Sequence, residues 1–318
     1  MSSLQPAAQG PPIIVIVGPT ASGKSALGVA LALRLGAEII NLDSVQVYRG
    51  LYIATAKIST AEMRGIPHHL IDIVEPTENF TAGDYARAAT AKIAEIEAGN
   101  RYALLVGGTG FYLRALQGQL YSESQPTDLS LRTRLKALRE RLGSQHLHRM
   151  LTRLDISAAR QIQPNDWART IRALEVYFQT GRSITEWQQR LPPPPTFAAR
   201  ICVFALAPPR EALYQRINQR VEEMFANGLV AEVSNLLDAG VPWDAKAFGA
   251  HGYRRVIEYL KGQRGLESCI EQTKIDTRHY AKRQLTWWRH TTGVHWLNGF
   301  GGEDGMVEAV LAVLSHSL

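Results

Sequence analysis

The chain has 318 residues, of which 45% are hydrophobic, and it carries a formal net charge of +6. This composition excludes a disordered chain, and the length suits one large domain or a core domain with an insertion. No apolar run reaches the roughly 18 residues of a membrane helix, so we expect no membrane partner and a cytoplasmic location. The two cysteines, Cys202 and Cys269, match no metal-binding or redox spacing, and we expect free thiols in a reducing compartment.

The first predicted elements surround a phosphate-binding loop. The apolar, β-branched run 13–17 predicts a buried strand, and apolar residues at helical spacing between 26 and 35 predict a helix that stops at Gly36. The residues between them match G-x-x-x-x-G-K-[ST], and a helix N-terminus binds anions through its backbone N–H groups. Lys24 adds a positive charge for a phosphate, and the Ser25 hydroxyl is the candidate ligand of Mg²⁺. The candidate polyphosphate site comprises Gly18, Pro19, Thr20, Ala21, Ser22, Gly23, Lys24 and Ser25.

Two further predicted strands end in candidate site residues. Strand 37–41 leads to Asp43, and strand 102–106 leads to a Gly-Gly-Thr-Gly turn that contains Thr109. Ligands of open α/β sheets gather at the carboxyl ends of the strands, which predicts a shared site. By its position alone, Asp43 is either a functional carboxylate or a turn-capping residue. Strand 102–106 does not end in the aspartate that holds Mg²⁺ in many P-loop hydrolases, which argues against an ATPase or GTPase.

The middle of the chain has helical patterns and no strand signal. Between residues 128 and 190, Lys and Arg outnumber Asp and Glu by 12 to 6, whereas the rest of the chain is balanced. We therefore predict an α/β fold with a P-loop core, formed by residues 1–120 and 198–318, and a helical insertion at 121–197. The excess of positive charge indicates a polyanionic partner, although a solvated helical surface would explain it equally well.

The C-terminal part returns to strand and helix signals. A strand is predicted at 201–206, and a helix at 210–226 carries Arg216 and Arg220 on one face. We expect helices around 229–239 and 253–261 with a turn at 249–254 between them, and then a long helix at 266–290 that ends in the sequence KRQLTWWR. Basic residues interleaved with tryptophans can stack on bases and bind phosphates, or they can be a buried aromatic pair beside a basic helix end.

These motifs, in this order, resemble those of the tRNA dimethylallyltransferases, also called tRNA isopentenyltransferases. The likeness spans nearly the whole chain, and its combination of DSxQxYRG, GGTGxY and KRQxTW is more specific than a P-loop alone. It implies the P-loop fold and the transfer of a prenyl group from dimethylallyl diphosphate to N6 of adenosine-37 in tRNA. The resembling segments are 18–25, 41–57, 67–72, 104–116, 163–176, 252–260 and 281–289.

The resemblance also implies roles for individual residues. Asp43 would be the general base, Thr109 and Arg220 would contact the reacting ends, and the phosphate loop would hold the diphosphate with Mg²⁺. The partners would be dimethylallyl diphosphate and a tRNA anticodon stem-loop, and we expect a monomer. Matching positions imply tRNA contacts by Asp43, Ser44, Val45, Gln46, Arg132, Arg169, Arg172, Tyr253, Arg254, Lys282, Arg283, Gln284, Trp287 and Arg289.

One departure at a predicted contact and three alternatives remain, one of them a P-loop protein that binds nucleic acid without chemistry. Gly249 stands where family members often carry a longer polar or basic side chain, so a tRNA contact there is doubtful. An adenylate isopentenyltransferase would prenylate a free nucleotide, but such an enzyme does not need the basic insertion or the KRQLTWWR segment. A small-molecule P-loop kinase would keep the phosphate loop and Mg²⁺ but would require a nucleoside triphosphate.

Overall fold

The computed structural model describes residues 10–120 and 128–315. The chain forms two compact units, one comprising Met1–Leu116 with Thr196–Leu318 and the other comprising Gln117–Pro195. Residues 121–127, which we assigned to the insertion, lie outside the described residues. None of the helices within the described ranges is long and apolar enough to cross a membrane.

The first unit is built on a parallel sheet of six strands in the order β3-β2-β4-β1-β5-β6. Strand β1 lies at the centre, with Ile14 opposite Leu104 of β4 and Ile16 opposite Phe204 of β5. Helices cover both faces of the sheet, which confirms the predicted α/β class. The strands are β1 Ile13–Val17, β2 Ala37–Leu42, β3 His68–His69, β4 Tyr102–Gly107, β5 Ile201–Leu206 and β6 Val294–Leu297.

The described residues also form fourteen α-helices and two short 3₁₀ segments, at Thr196–Arg200 and Lys246–Gly249. The helices are α1 Lys24–Leu35, α2 Thr60–Met63, α3 Ala82–Ala98, α4 Gly110–Leu116, α5 Leu129–Leu142, α6 Ser144–Leu154, α7 Ile156–Gln161, α8 Trp167–Thr180, α9 Ile184–Gln189, α10 Arg210–Ala226, α11 Leu229–Asp238, α12 His251–Leu260, α13 Leu266–Arg289 and α14 Met306–Ser315.

The order of the strands positions the site. Every residue of β1 is at most 1% exposed, so all of its side chains are buried in the core. Strands β2 and β5 follow the hydrophobic pattern that predicted them, and β4 lies between β1 and β2. The carboxyl ends of β1, β2 and β4 therefore lie side by side, and the loops that follow them carry the phosphate loop, Asp43 and Thr109.

Helix α12 differs from the prediction. The turn was expected to lead into a helix at about residue 253, but α12 begins two residues earlier, at His251. Tyr253 and Val256 on this helix are fully buried in a cluster with Val47 and Leu51. This apolar contact outweighs the turn signal of the two glycines at 249 and 252.

The second unit is helical throughout its described part. Helices α5, α6 and α8 enclose a small apolar core of Leu135, Leu147, Leu151 and Leu174. Asp155 caps α7 by accepting the backbone N–H of Ala158 at 2.9 Å, as expected of an aspartate at a helix N-terminus.

Candidate functional site

The phosphate loop is held in shape by a hydrogen bond within it and by hydrogen bonds to residues outside it. Helix α1 begins after Gly23, whose φ of 87° is in the left-handed region that favours glycine. The Lys24 ammonium donates to the carbonyl of Pro19 at 2.8 Å, and the carbonyl of Ser22 accepts the backbone N–H of Gly301 at 2.9 Å. Ser25 is exposed on the first turn of α1, so its hydroxyl is accessible to a ligand.

Two cations lie beside this loop. Burial lowers the pKa of Lys24 to about 8, and the neighbouring Arg220 guanidinium lowers it further, against the opposing effect of Asp43. Burial also lowers the pKa of Arg220 from its ordinary value, while Asp43 acts in the opposite direction. One carboxylate thus faces two partly desolvated cations, an imbalance that a bound polyphosphate would neutralise.

Asp43 is fixed in the turn that follows β2. Its Oδ1 atom accepts the backbone N–H groups of Val45 at 2.9 Å and Gln46 at 3.3 Å. The Asn41 side chain accepts the backbone N–H of Asp43 at 3.1 Å and donates to the carbonyl of Leu70 at 3.0 Å. No donor among the described residues reaches Oδ2. Asp43 therefore caps a turn with one oxygen and leaves the other without a donor among the described residues, an arrangement compatible with either interpretation.

Thr109 joins the loop after β4 to the loop after β2. Its hydroxyl oxygen accepts the backbone N–H of Ser44 at 3.0 Å, and its own N–H donates to the carbonyl of Leu42 at 3.0 Å. The Gly-Gly-Thr-Gly turn thus forms a second wall beside Asp43, where the sequence predicted it.

The predicted catalytic residues meet around one cavity of about 530 Å³. Asp43, Thr109 and Arg220 all line it, together with Thr20 of the phosphate loop. A smaller cavity of about 150 Å³ has Lys24, Ser25, Asp43, Gln46 and Arg220 in its wall. A third, of about 770 Å³, lies beside Ser25 and Arg220. Arg220 therefore lines all three cavities, and Asp43 lines the two that flank the start of the phosphate loop.

The larger wall of the 530 Å³ cavity is apolar. Helix α10 contributes Ile217, Val221 and Met224, and α4 contributes Phe111 and Tyr112. Burial raises the pKa of Tyr112, so this phenol stays neutral and is no candidate base near pH 7. The transfer of a branched hydrocarbon group from water into such a space would be favourable.

Gln46 has a fixed side chain. Its amide nitrogen donates to the carbonyl of Thr55 at 3.0 Å, which ties the turn after Asp43 to the segment Leu51–Lys57. Ser44 and Val45, which are half-buried, lie on the same turn and line the main cavity.

The predicted tRNA contacts in the first unit divide into two groups. Arg254, Lys282, Arg283 and Arg289 are exposed, as contacts with a polyanion require. Tyr253 is completely buried, and its hydroxyl donates to Glu232 at 2.7 Å. A contact between tRNA and Tyr253 does not fit this position, because α12 packs that side chain into the core.

Gln284 and Trp287 also point inward. Gln284 is only 6% exposed and hydrogen-bonds to both the phosphate loop and the Gly-Gly-Thr-Gly turn. Trp287 is half-buried against Gly110, with the Arg114 guanidinium 5.8 Å from its ring. The pattern of basic and aromatic residues did not reveal which face of α13 is buried.

The predicted contacts in the second unit divide in the same way. Arg169 is 69% exposed and forms only a loose ion pair with Asp166 at 3.5 Å. Arg132 and Arg172 instead both bind the carboxylate of Glu175, which is fully buried. Of these three arginines, only Arg169 is free enough to reach a partner without disturbing the fold.

Glu232 is a positioning residue that the sequence did not reveal. It accepts the backbone N–H groups of Tyr52 and Ile53, each at 3.0 Å, as well as the hydroxyl of Tyr253. Lys57 has a similar role, since its ammonium binds the carbonyl of Tyr48 at 2.7 Å and the carboxylate of Asp72. A single glutamate on an amphipathic helix carries no local signal for such a role.

The oxygen atoms near Ser25 suit a metal ion that is bound mainly by the phosphates of a substrate. Within the described residues, no group of three or more His, Cys, Asp or Glu side chains could hold a metal. The groove beside Ser25 also contains Glu62 and Glu223. Mg²⁺ commonly takes one or two protein oxygens and completes its octahedron with phosphates and water, so these residues suit it.

The comparisons with known proteins agree with this geometry. Residues 46–291 match the family described as IPP transferase. The tRNA dimethylallyltransferase of Geobacillus kaustophilus is 46% identical over 286 residues, which is 90% of both chains. That of Geobacter metallireducens is 43% identical over 301 residues, covering 94% of this chain and 96% of the relative.

Solved structures are similar over the same length. The full-length tRNA isopentenylpyrophosphate transferase from Bacillus halodurans has a TM-score of 0.70 and 39% identity, covering 97% of this chain and 96% of the other. A eukaryotic dimethylallyltransferase acting on tRNA has a TM-score of 0.80 and 27% identity, covering 97% of this chain and 79% of the other.

Proposed function

This chain belongs to the IPP transferase family, and we infer from that premise and from the site geometry that it is a tRNA prenyltransferase. It transfers a dimethylallyl group from dimethylallyl diphosphate to N6 of adenosine-37 in the anticodon loop. The observation that carries the inference is that Asp43, the phosphate loop and an apolar wall share one cavity.

The phosphate loop binds the diphosphate, which is the leaving group. Lys24 and Arg220 neutralise the charge that develops on the bridging oxygen as the C–O bond breaks, and Thr20 lies at the same edge of the cavity. Ser25 would hold Mg²⁺, which when bound supplies further positive charge to the leaving group.

Asp43 acts as the general base. The exocyclic N6 attacks the first carbon of the prenyl group, the bond between that carbon and the diphosphate oxygen breaks, and the N6 proton passes to Asp43. Because Oδ1 is committed to the backbone of Val45 and Gln46, Oδ2 is the accepting atom. Thr109 keeps the turn in place through Ser44.

Different parts of the cavity bind the two substrates: the apolar wall binds the prenyl group, and the turn at Asp43 meets the adenine. The dimethylallyl group lies against Ile217, Val221 and Met224, away from water. The adenine must leave the stack of the anticodon loop to reach Asp43, as bases do in enzymes that modify them. Gln46 and its neighbours Ser44 and Val45 form the turn that meets this base.

The exposed basic residues bind the tRNA backbone. Arg254, Lys282, Arg283 and Arg289 in the first unit and Arg169 in the second carry charge that is free of buried partners. Such contacts give salt-dependent affinity, and they distinguish a tRNA enzyme from one that prenylates free adenylate. One chain contains all of the proposed groups, which supports activity as a monomer.

A transfer assay with radiolabelled dimethylallyl diphosphate tests this function. The acceptors are an anticodon stem-loop with A36-A37-A38, the same RNA with G37, and AMP, each with Mg²⁺. We expect label only on the A37 RNA, and its loss in Asp43→Ala. Asp238→Ala is the matched control, because Asp238 is exposed and lines none of the three cavities. Label on AMP would identify an adenylate enzyme, and ATP turnover without label would indicate a kinase or ATPase.

A further inference from the structure

Gln284 connects two loops of the active site. Its side-chain carbonyl accepts the backbone N–H of Thr20 at 2.8 Å, and its side-chain amide donates to the carbonyl of Gly108 at 3.2 Å. The residue is only 6% exposed, so water competes little with these bonds. A single side chain from α13 thus spans the phosphate loop after β1 and the Gly-Gly-Thr-Gly turn after β4.

The glycines of that turn are shaped to this helix. A Cβ atom on Gly108 would lie 2.1 Å from the amide nitrogen of Gln284, and one on Gly110 would lie 1.9 Å from Nε1 of Trp287. Neither glycine has a positive φ, so contact with α13, not backbone conformation, excludes a side chain.

The connection continues to the reacting groups. Gly108 precedes Thr109, whose hydroxyl oxygen accepts the backbone N–H of Ser44, and Ser44 follows Asp43. On the other side, Gln284 fixes Thr20 at the start of the loop that contains Lys24. Gln284 is therefore linked by hydrogen bonds both to the loop of the diphosphate-binding groups and, through Gly108, to the turn beside the carboxylate.

We propose that Gln284 is a positioning residue of the transfer reaction and not a tRNA contact. This proposal rests on the proposed prenyl transfer. Gln284 holds Thr20 and Gly108 in register, so that the leaving diphosphate and the N6 acceptor meet at bonding distance. The neighbouring Lys282 and Arg283 are exposed, so helix α13 presents tRNA-binding groups on one face and this connection on the other.

A positioning role and a tRNA-binding role predict different effects on kcat and on Kd. Loss of a positioning residue displaces the reacting groups, and a shift of about 1 Å can lower kcat by about 100-fold. For Gln284→Ala we therefore expect kcat to fall about 10- to 100-fold, with the Kd of the stem-loop changed less than about threefold. Lys282→Ala should instead raise Kd and KM several-fold with kcat retained, because the proposed role of this exposed side chain is to bind the RNA alone.

Single-turnover kinetics and stem-loop anisotropy, on the full chain, test the proposal. Gln284→Glu keeps the acceptor for Thr20 and loses the donor to Gly108, so it remains informative if Gln284→Ala unfolds at the assay temperature. A normal kcat with weakened RNA binding in both variants would overturn the proposal and restore the tRNA contact. An inactive wild type would instead refute the prenyl-transfer function itself, which keeps the two failures distinct.

A double-mutant cycle adds a structural control. Gly108→Ala should lower kcat strongly in the wild type, because the new methyl group collides with Gln284. In the Gln284→Ala background the collision partner is gone, so the same change should cost less than about twofold. Additive effects of the two changes would contradict the connection between these residues.

Discussion

The Oδ1 atom of Asp43 accepts the backbone N–H of Val45 at 2.9 Å, so one oxygen of this carboxylate builds the turn that presents the other. The two functions of the residue can be separated by substitution. An asparagine retains an oxygen that can accept the Val45 N–H, but its amide cannot take a proton at neutral pH.

We therefore predict that Asp43→Asn keeps the fold and loses the chemistry. Its kcat should fall by about 10²- to 10⁴-fold, the usual contribution of a general base, while its thermal midpoint should fall less than that of Asp43→Ala, because the turn keeps its cap although the charge facing Lys24 and Arg220 is lost. Asp43→Ala should lose the same activity and also lower the midpoint, because the turn loses its cap. Transfer assays and calorimetry measure the two effects, and wild-type turnover in Asp43→Asn would exclude Asp43 as the base.

The lowered pKa of Lys24 predicts the pH dependence of diphosphate binding. Burial brings this pKa from 10.5 to about 8 in the free protein, and only the protonated ammonium attracts the ligand. The affinity for inorganic pyrophosphate should therefore weaken as the pH rises above 8, by up to about tenfold per pH unit. Titration calorimetry should show this decline in the wild type. Lys24→Met is the control, since its curve contains only the titration of pyrophosphate itself.

The same shift has the opposite consequence for stability. Between pH 8 and 10.5 the unfolded chain holds the Lys24 proton more tightly than the folded chain does. Stability rises with pH wherever the unfolded state binds more protons, so Lys24 penalises the folded protein below pH 8 and the penalty fades towards pH 10.5. Urea unfolding should show this gain relative to Lys24→Met, and equal slopes in the two proteins would refute the shifted pKa.

The sequence could predict the loops that meet at the sheet edge but not the direction of individual side chains. Asp43 and Thr109 follow apolar strands, and parallel strands bring their carboxyl ends together whatever surrounds them. The burial of Tyr253 and Gln284 depends on which face of α12 or α13 packs inward. That choice is made by residues far along the chain, such as Glu232 and Gly108, which carry no local pattern.

Because Tyr253 is hydrogen-bonded to Glu232, a substitution of Tyr253 should lower stability, whereas the family resemblance predicted that it would weaken RNA binding. The hydroxyl of Tyr253 is one of three donors to Glu232, and the other two are the backbone N–H groups of Tyr52 and Ile53. Tyr253→Phe should lower the free energy of unfolding by about 1 kcal/mol, the usual net value of one hydrogen bond, and lower kcat modestly. Its Kd for the stem-loop should not change.

Glu232→Gln is the partner variant for this prediction. Its amide keeps one acceptor for the backbone but loses the charge, so we expect a larger loss of stability than in Tyr253→Phe. Unfolding in urea and stem-loop anisotropy give the two quantities. A Tyr253→Phe protein with normal stability and weakened RNA binding would show that Tyr253 leaves the core to contact tRNA.

The arginines of the second unit should also differ in whether their removal affects stability or RNA binding. Glu175 is fully buried and binds both Arg132 and Arg172, whereas Arg169 on the same helix as Glu175 is exposed. Removing Arg132 leaves a buried carboxylate with one cation, so Arg132→Ala should cost about 3 kcal/mol of folding free energy. Arg169→Ala should change the free energy of unfolding by less than about 0.5 kcal/mol. It should also reduce the slope of log K against log salt concentration for stem-loop binding by about the value of one phosphate contact.

The double variant Arg132→Ala/Glu175→Gln decides why Arg132→Ala is unstable. Since the glutamine carries no charge, the double variant should recover part of the stability lost by removing the arginine alone. Urea titrations of the four proteins give the coupling, and RNA anisotropy at several salt concentrations gives the contact number. If Arg132→Ala proves as stable as the wild type but binds RNA with a reduced salt slope, its guanidinium serves the tRNA and not Glu175.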